Sequence, residues 1–185
     1  DEALVRFVNR IGEARLGSFG ISMPGSAAVR LLDVQFDFAA YRDRSLKPYF
    51  KSGVWIIERQ ENRDWHVHAA VDTGFDIQTG FPFDEVKKRN YSHVPHNVRK
   101  LWKSLRDETD EPDFFTSTNA PARDGVVGRL IDYNRPYLMP IRPGTAERFI
   151  SYLSGRAINP AYQKHFKKPP PEGCGSWGWE GAIKL

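Results

Sequence analysis

The sequence predicts an α+β fold: a central antiparallel sheet with helices packed mainly on one face, a ferredoxin/RRM-like palm. Three observations carry that prediction. Residues 53–60 and 65–72 are apolar, strand-like runs joined by the polar turn Glu61-Asn62-Arg63-Asp64, which reads as an antiparallel hairpin. Four segments, 2–15, 27–41, 84–105 and 145–154, place apolar residues at helical spacing. The resulting order is helix, strand, helix, strand, strand, helix, strand, helix, and one sheet with helices against it packs that order economically.

Leu4, Val5, Val8 and Ile11 give the first helix its stripe, and Gly17-Ser18 is expected to end it. Phe19 to Met23 is short and partly alternating, a strand stopped by Pro24-Gly25. Ser26 is placed to cap a helix from Ala27 to about Tyr41, with Val29, Leu32, Phe36 and Ala39/Ala40 on one face. The hairpin follows, then a loop over 73–83. Asp84 caps a helical reading that continues, interrupted at Pro95, to Leu105. Residues 128–133 and 137–141 form one interrupted strand or two. Pro143-Gly144-Thr145 opens a helix carrying Ala146, Phe149, Ile150 and Leu153, ended by Gly155 or Asn159-Pro160. From about residue 167 the tail is rich in Pro and Gly, and Cys174 to Trp179 is too glycine-rich for a helix.

At 185 residues and 40% hydrophobic content, the chain can bury one substantial core, so residues 1–185 are read as a single domain. Thirteen per cent aromatic content, five tryptophans included, excludes a disordered tail. The longest apolar runs fall far short of the roughly 20 residues a membrane span needs, so no membrane partner is expected. No basic, apolar leader opens these residues, which sets the expectation of a cytoplasmic protein. One cysteine, Cys174, excludes an internal disulfide framework and a thiolate-rich zinc site.

The most informative motif is Trp65-His66-Val67-His68-Ala69-Ala70-Val71. Alternation along a strand puts His66 and His68 side by side on one face, as two nitrogen ligands to one metal ion must be. A lone strand histidine is more often a hydrogen-bonded packing residue. A carboxylate folded against the pair favours metal, and Glu58, eight residues before His66 and across the hairpin turn, supplies one. Asp72 shares the histidines' parity and stands as the reserve third ligand.

Arg148, Tyr152 and Arg156 form one stripe of the last helix at i, i+4 and i+8. Two guanidiniums can hold a phosphate and lower the cost of a phenolate; the plain alternative is a tyrosine packed on the sheet. No nucleophile elbow, P-loop or dinucleotide-binding glycine fingerprint occurs. His93-Val94-Pro95-His96 could bind metal, but its proline favours a loop.

The net charge of +4 is unevenly placed. Residues 86–106 hold Lys87, Lys88, Arg89, Arg99, Lys100, Lys103 and Arg106 without an acid, interleaved with Tyr91, His93, His96 and Trp102. Such a run is often only a solvated helix face. Its cations and rings also suit single-stranded nucleic acid.

Together these residues resemble the HUH endonucleases, and within them the rolling-circle replication initiators (Rep). Phe19–Met23 stands as a weak first motif, Val54–Glu58 with His66-Val67-His68 as the second and Ile150–Arg156 as the third, in the family's order. The phrase from Val54 to Val71 is especially similar, and Ser176-Trp177-Gly178-Trp179 resembles a segment found after the tyrosine helix in some members. Many members carry Tyr-x-x-Lys; here Gly155 stands three residues after Tyr152 and Arg156 one further, so the register differs. Position 149 is Phe, which implies a single-tyrosine enzyme.

The resemblance implies metal-dependent nicking and joining of single-stranded DNA at a replication origin through a 5′-phosphotyrosine intermediate. Tyr152 would be the nucleophile with Arg156 as a catalytic partner. Glu58, His66 and His68 would hold Mn²⁺ or Mg²⁺. Lys87, Lys88, Arg89, Arg99, Lys100 and Arg148 would contact the DNA backbone, and a host or fused helicase is a further expected partner. Relaxases and transposases share this chemistry. Two rival classes are a cupin-like metal oxygenase, which also uses His-x-His with a carboxylate, and a non-catalytic single-stranded nucleic-acid-binding module.

Overall fold

The computed structural model describes residues 2–110, 137–155 and 171–178. Five strands, β1 (Leu16–Met23), β2 (Ser52–Arg59), β3 (Trp65–Asp72), β4 (Tyr137–Pro140) and β5 (Gly173–Trp177), form one sheet in the order β4-β1-β3-β2-β5. Every neighbouring pair is antiparallel. The helices are α1 (Glu2–Ile11), α2 (Leu31–Tyr41), α3 (Phe83–Lys87), α4 (His96–Asp110) and α5 (Ala146–Ser154). β1-α2-β2-β3-α4-β4 is a β-α-β-β-α-β chain with strand order 4-1-3-2, the ferredoxin-like arrangement, and β5 extends it at the β2 edge. Among the described residues the sheet is open, with β4 and β5 at its edges, unlike a cupin barrel.

The α+β fold is as expected, and the helices of this palm do share one face. Val34, Phe38 and Tyr41 of α2 and Leu101 and Leu105 of α4 pack there against Phe19, Ile21, Trp55, Ile57, Trp65 and Val67. The other face is covered too. Leu4, Phe7 and Val8 of α1 and Ile150 and Leu153 of α5 bury Leu16, Val54, Ile56 and Ala70. The reason is legible in β2: Val54 to Ile57 is apolar on both parities, so both faces need cover. That cover leaves open the end of the second face, where Glu58, His66 and His68 sit.

Several boundaries differ from expectation. Gly12, at φ 78°, ends α1 early, so β1 starts at Leu16 and takes in Gly17-Ser18. Ser26 does not cap α2. Its hydroxyl donates to the Met23 carbonyl and accepts from the Trp65 amide, tying the β1 exit to β3, and α2 begins at Leu31. Leu32 and Phe36 are consequently 71% and 56% exposed. α2 is apolar nearly all round, so periodicity alone could not choose its buried face. The 84–105 segment divides into α3 and α4, and residues 128–133 lie outside the described residues.

The glycine-rich tail forms the edge strand β5. Gly53 pairs with Trp177, and Trp55 with Gly175. Each indole lies where the opposite glycine's Cβ would be, so the two tryptophans fit only because both partners lack a side chain.

Candidate active site

The hairpin register sets the site. Glu58 pairs with His66 across β2 and β3, and Ile56 with His68. On the other side of β3, Ser22 pairs with His66 and Gly20 with His68. Glu58, His66 and His68 are buried, and the imidazole centroids lie 4.1 Å apart. The turn beyond them closes with Gln60 and Asp64 bonded through their backbones at 2.9 Å, and Arg59 stacks on Trp65 at 3.5 Å.

α5 brings the phenol. The Tyr152 hydroxyl is 2.7 Å from His68 Nε2, and its ring meets the imidazole edge-on. The same Nε2 lies 2.9 Å from Glu58 Oε1. Eighty-four residues separate Tyr152 from His68 in sequence, and the packing of Ile150 and Leu153 under α5 closes that gap. Gly155, at φ 67°, ends the helix just past the tyrosine.

Burial raises the Tyr152 pKa well above its ordinary value, and the neighbouring Glu58 carboxylate, then the Tyr137 phenol, push it further. Among the described residues no arginine offsets that rise. Arg148 is exposed and is not among the groups that move Tyr152, while Arg156 lies outside the described residues.

Three neighbours were not found from sequence. Ser22 Oγ and Gln60 Nε2 stand 2.8 and 3.0 Å from His66 Nδ1 and fix the ring through that nitrogen. Tyr137 of β4 pairs with Gly20, and its ring occupies the space a Cβ there would take. Tyr137, Tyr152, both histidines, Glu58 and turn residues 59–62 line an open cavity of about 660 Å³. Ser22 could be picked out only once the β1–β3 register was known, and Tyr137 only through a strand pairing across more than a hundred residues.

Other expected residues are elsewhere. Asp72 is no reserve ligand: Arg15 holds both its oxygens at 2.7 Å and the Gly74 amide donates to Oδ1 at 2.9 Å. It stands four residues along β3 from His68, roughly 13 Å at strand rise. Lys87, Lys88, Arg89, Arg99 and Lys100 are exposed on α3, α4 and the segment between. α4 buries its apolar side against the sheet face opposite the histidines, so this basic run does not border the cavity. His93 pairs with Glu85 at 2.7 Å, also away from it.

A carboxylate and two imidazoles suit Mn²⁺ by donor type, and the register puts all three on one patch of sheet. Among the described residues, though, no group of three or more His, Cys, Asp and Glu side chains is already converged to hold a metal ion. Glu58 and His68 contact each other directly, and His66 is turned by Nδ1 towards Ser22 and Gln60. Among the described residues the buried His68 Nδ1 has no hydrogen-bond partner. The donor types suit a divalent ion, but here Glu58 and His68 are bonded to each other.

Among the described residues no helix is long and apolar enough to cross a membrane. No family model, curated protein or solved structure matches the chain.

Proposed function

We propose that the protein nicks and rejoins single-stranded DNA through Tyr152, the chemistry that initiates rolling-circle replication at an origin. The observation that carries this reading is the Tyr152 hydroxyl lodged 2.7 Å from His68 Nε2, beside Glu58, on an open sheet face. Any buried tyrosine hydroxyl needs a partner; the one found here, an imidazole beside a carboxylate, is also a group that can move a proton. In the proposed step the phenol oxygen attacks phosphorus, a P–O bond to Tyr152 forms and the bond to the 3′-oxygen breaks. The departing oxygen takes a proton and leaves as a 3′-hydroxyl. Reversal with another 3′-hydroxyl rejoins or transfers the strand.

This chain's residues orient and desolvate the nucleophile. His68 fixes the phenol oxygen, Ser22 and Gln60 hold His66, and the helix α5 limits water on one side. The same burial opposes ionisation, so the site as it stands protects the phenol rather than activating it. Glu58, His66 and His68 would hold Mn²⁺ or Mg²⁺, whose positive charge would offset that opposition and polarise a phosphate oxygen. The backbone-contact role of Lys87, Lys88, Arg89, Arg99 and Lys100 requires the strand to pass round to the opposite face.

The test is incubation with a 3′-labelled single-stranded oligonucleotide pool of randomised sequence and Mn²⁺, followed by a denaturing gel. A labelled band at protein mobility supports the proposal, and its persistence in Tyr152→Phe would exclude this nucleophile. A non-catalytic binding module would retain the oligonucleotide on a native gel and give no such band with wild type.

A further inference from the structure

Tyr137 has no role in the chemistry above, yet it is 47% exposed within the cavity that holds Tyr152. Its position is built. β4 pairs with β1 so that Gly20 stands opposite, and the ring occupies the room that only a glycine leaves. One side of the ring is therefore backed by sheet backbone, and the exposed remainder borders the cavity. Tyr137 also acts electrostatically on Tyr152, which places the two phenols in one neighbourhood. To the same cavity the hairpin turn contributes Glu61, whose carboxylate can accept from the amino edge of a flat heterocycle, while the Asn62 amide is bonded to Asp64.

Aromatic cover of a strand glycine is a structural device in its own right. That device alone calls for a ring pressed flat and buried, as Trp177 is over Gly53, at 6% exposure. Tyr137 differs in keeping an open surface next to the reactive group. The cavity volume also lies within the range of about 300–1,000 Å³ typical of small-ligand sites.

We infer that Tyr137 is the stacking wall of a nucleobase subsite, holding a base of the strand whose phosphate lies at Tyr152. This inference rests on the strand-cleavage reading for its substrate, while its own observable is base-dependent binding. A π-face accepts any base, so the subsite supplies affinity and places the strand without dictating sequence.

The experiment uses the full chain carrying Tyr152→Phe, so that binding is measured without reaction. Two probes are compared: a randomised single-stranded DNA pool, and an abasic strand of equal length and charge. Wild-type Tyr137 should bind the base-bearing pool more tightly. Tyr137→Leu, which keeps apolar cover over Gly20 but removes the π-face, should weaken that binding about 5- to 150-fold and leave the abasic probe unchanged. Tyr137→Phe should bind like wild type. Should Tyr137→Leu fold poorly, Gly20→Ala gives an independent test, because its methyl must displace the ring. Equal losses on both probes, or no loss on either, overturn the inference. Base-dependent binding that needs Tyr137, with no covalent band from the wild-type protein, would keep the subsite and remove the strand-cleavage reading.

Discussion

The Tyr152 hydroxyl and His68 Nε2 are 2.7 Å apart, joined across 84 residues by a helix that packs its apolar side on the same sheet face. That contact makes the phenol part of a buried cluster with Glu58, 2.9 Å from the same nitrogen. Consequences for ionisation, metal affinity and stability follow from it and from the elements around it.

Tyr152 should ionise late. Burial first, then Glu58 and Tyr137, hold its pKa above the ordinary 10.0. Folding thus favours the neutral phenol; the stabilisation is fully present below pH about 10 and is lost as pH rises through the higher folded value. Ultraviolet titration of metal-free wild type against Tyr152→Phe should show no phenolate from this residue at pH about 10. A difference signal already complete there would contradict its buried environment.

Gln60 should govern metal affinity without carrying the fold. Its amide nitrogen, 3.0 Å from His66 Nδ1, can only donate, which favours the tautomer with the proton on Nε2, the nitrogen a metal would need. Gln60→Glu, whose carboxylate accepts from Nδ1–H, should tighten Mn²⁺ binding about 10- to 100-fold in calorimetry, and Gln60→Leu should not weaken it. His66→Ala should abolish binding. Unchanged Mn²⁺ affinity in His66→Ala would remove the metal from the proposal.

Asp72 should matter for stability and not for metal. Arg15 grips both its oxygens, and the carboxylate is buried while the guanidinium is part-exposed. Arg15→Ala leaves that carboxylate with only the Gly74 amide and should cost about 2–3 kcal/mol by urea unfolding, less than the full buried-pair figure because solvent reaches Arg15. Mn²⁺ affinity should be unchanged in Asp72→Asn.

The tryptophan–glycine pairs of β2 and β5 should be intolerant of a methyl group. Gly53→Ala drives a Cβ into the Trp177 ring and Gly175→Ala into Trp55, both in the core. Each should destabilise by about 1–3 kcal/mol, seen as a lower denaturant midpoint. Full stability in both variants would mean β5 does not sit on β2.

Much of this architecture was legible in the chain. The hairpin, the shared face of His66 and His68, and Glu58 folded against them follow from strand alternation and a short polar turn, which are local rules. What escaped were features set by distant pairing. Ser22 and Tyr137 reach the site through β1–β3 and β1–β4 registers that no local pattern encodes. The β5 strand escaped because its glycines argue against regular structure until Trp55 and Trp177 are seen to need them. The part of the arginine stripe that the structure describes differs for another reason. Helical spacing places Arg148 on Tyr152's stripe, but it cannot tell that the ring turns inward to Glu58 while Arg148 remains in solvent.

The most direct measurement is the mass of the tyrosine peptide spanning residue 152 after reaction with single-stranded DNA and nuclease digestion. The account predicts a 5′-nucleotide remnant attached to Tyr152, absent in Tyr152→Phe. An unmodified Tyr152 peptide alongside cleaved DNA, or a remnant on a different side chain, would contradict it.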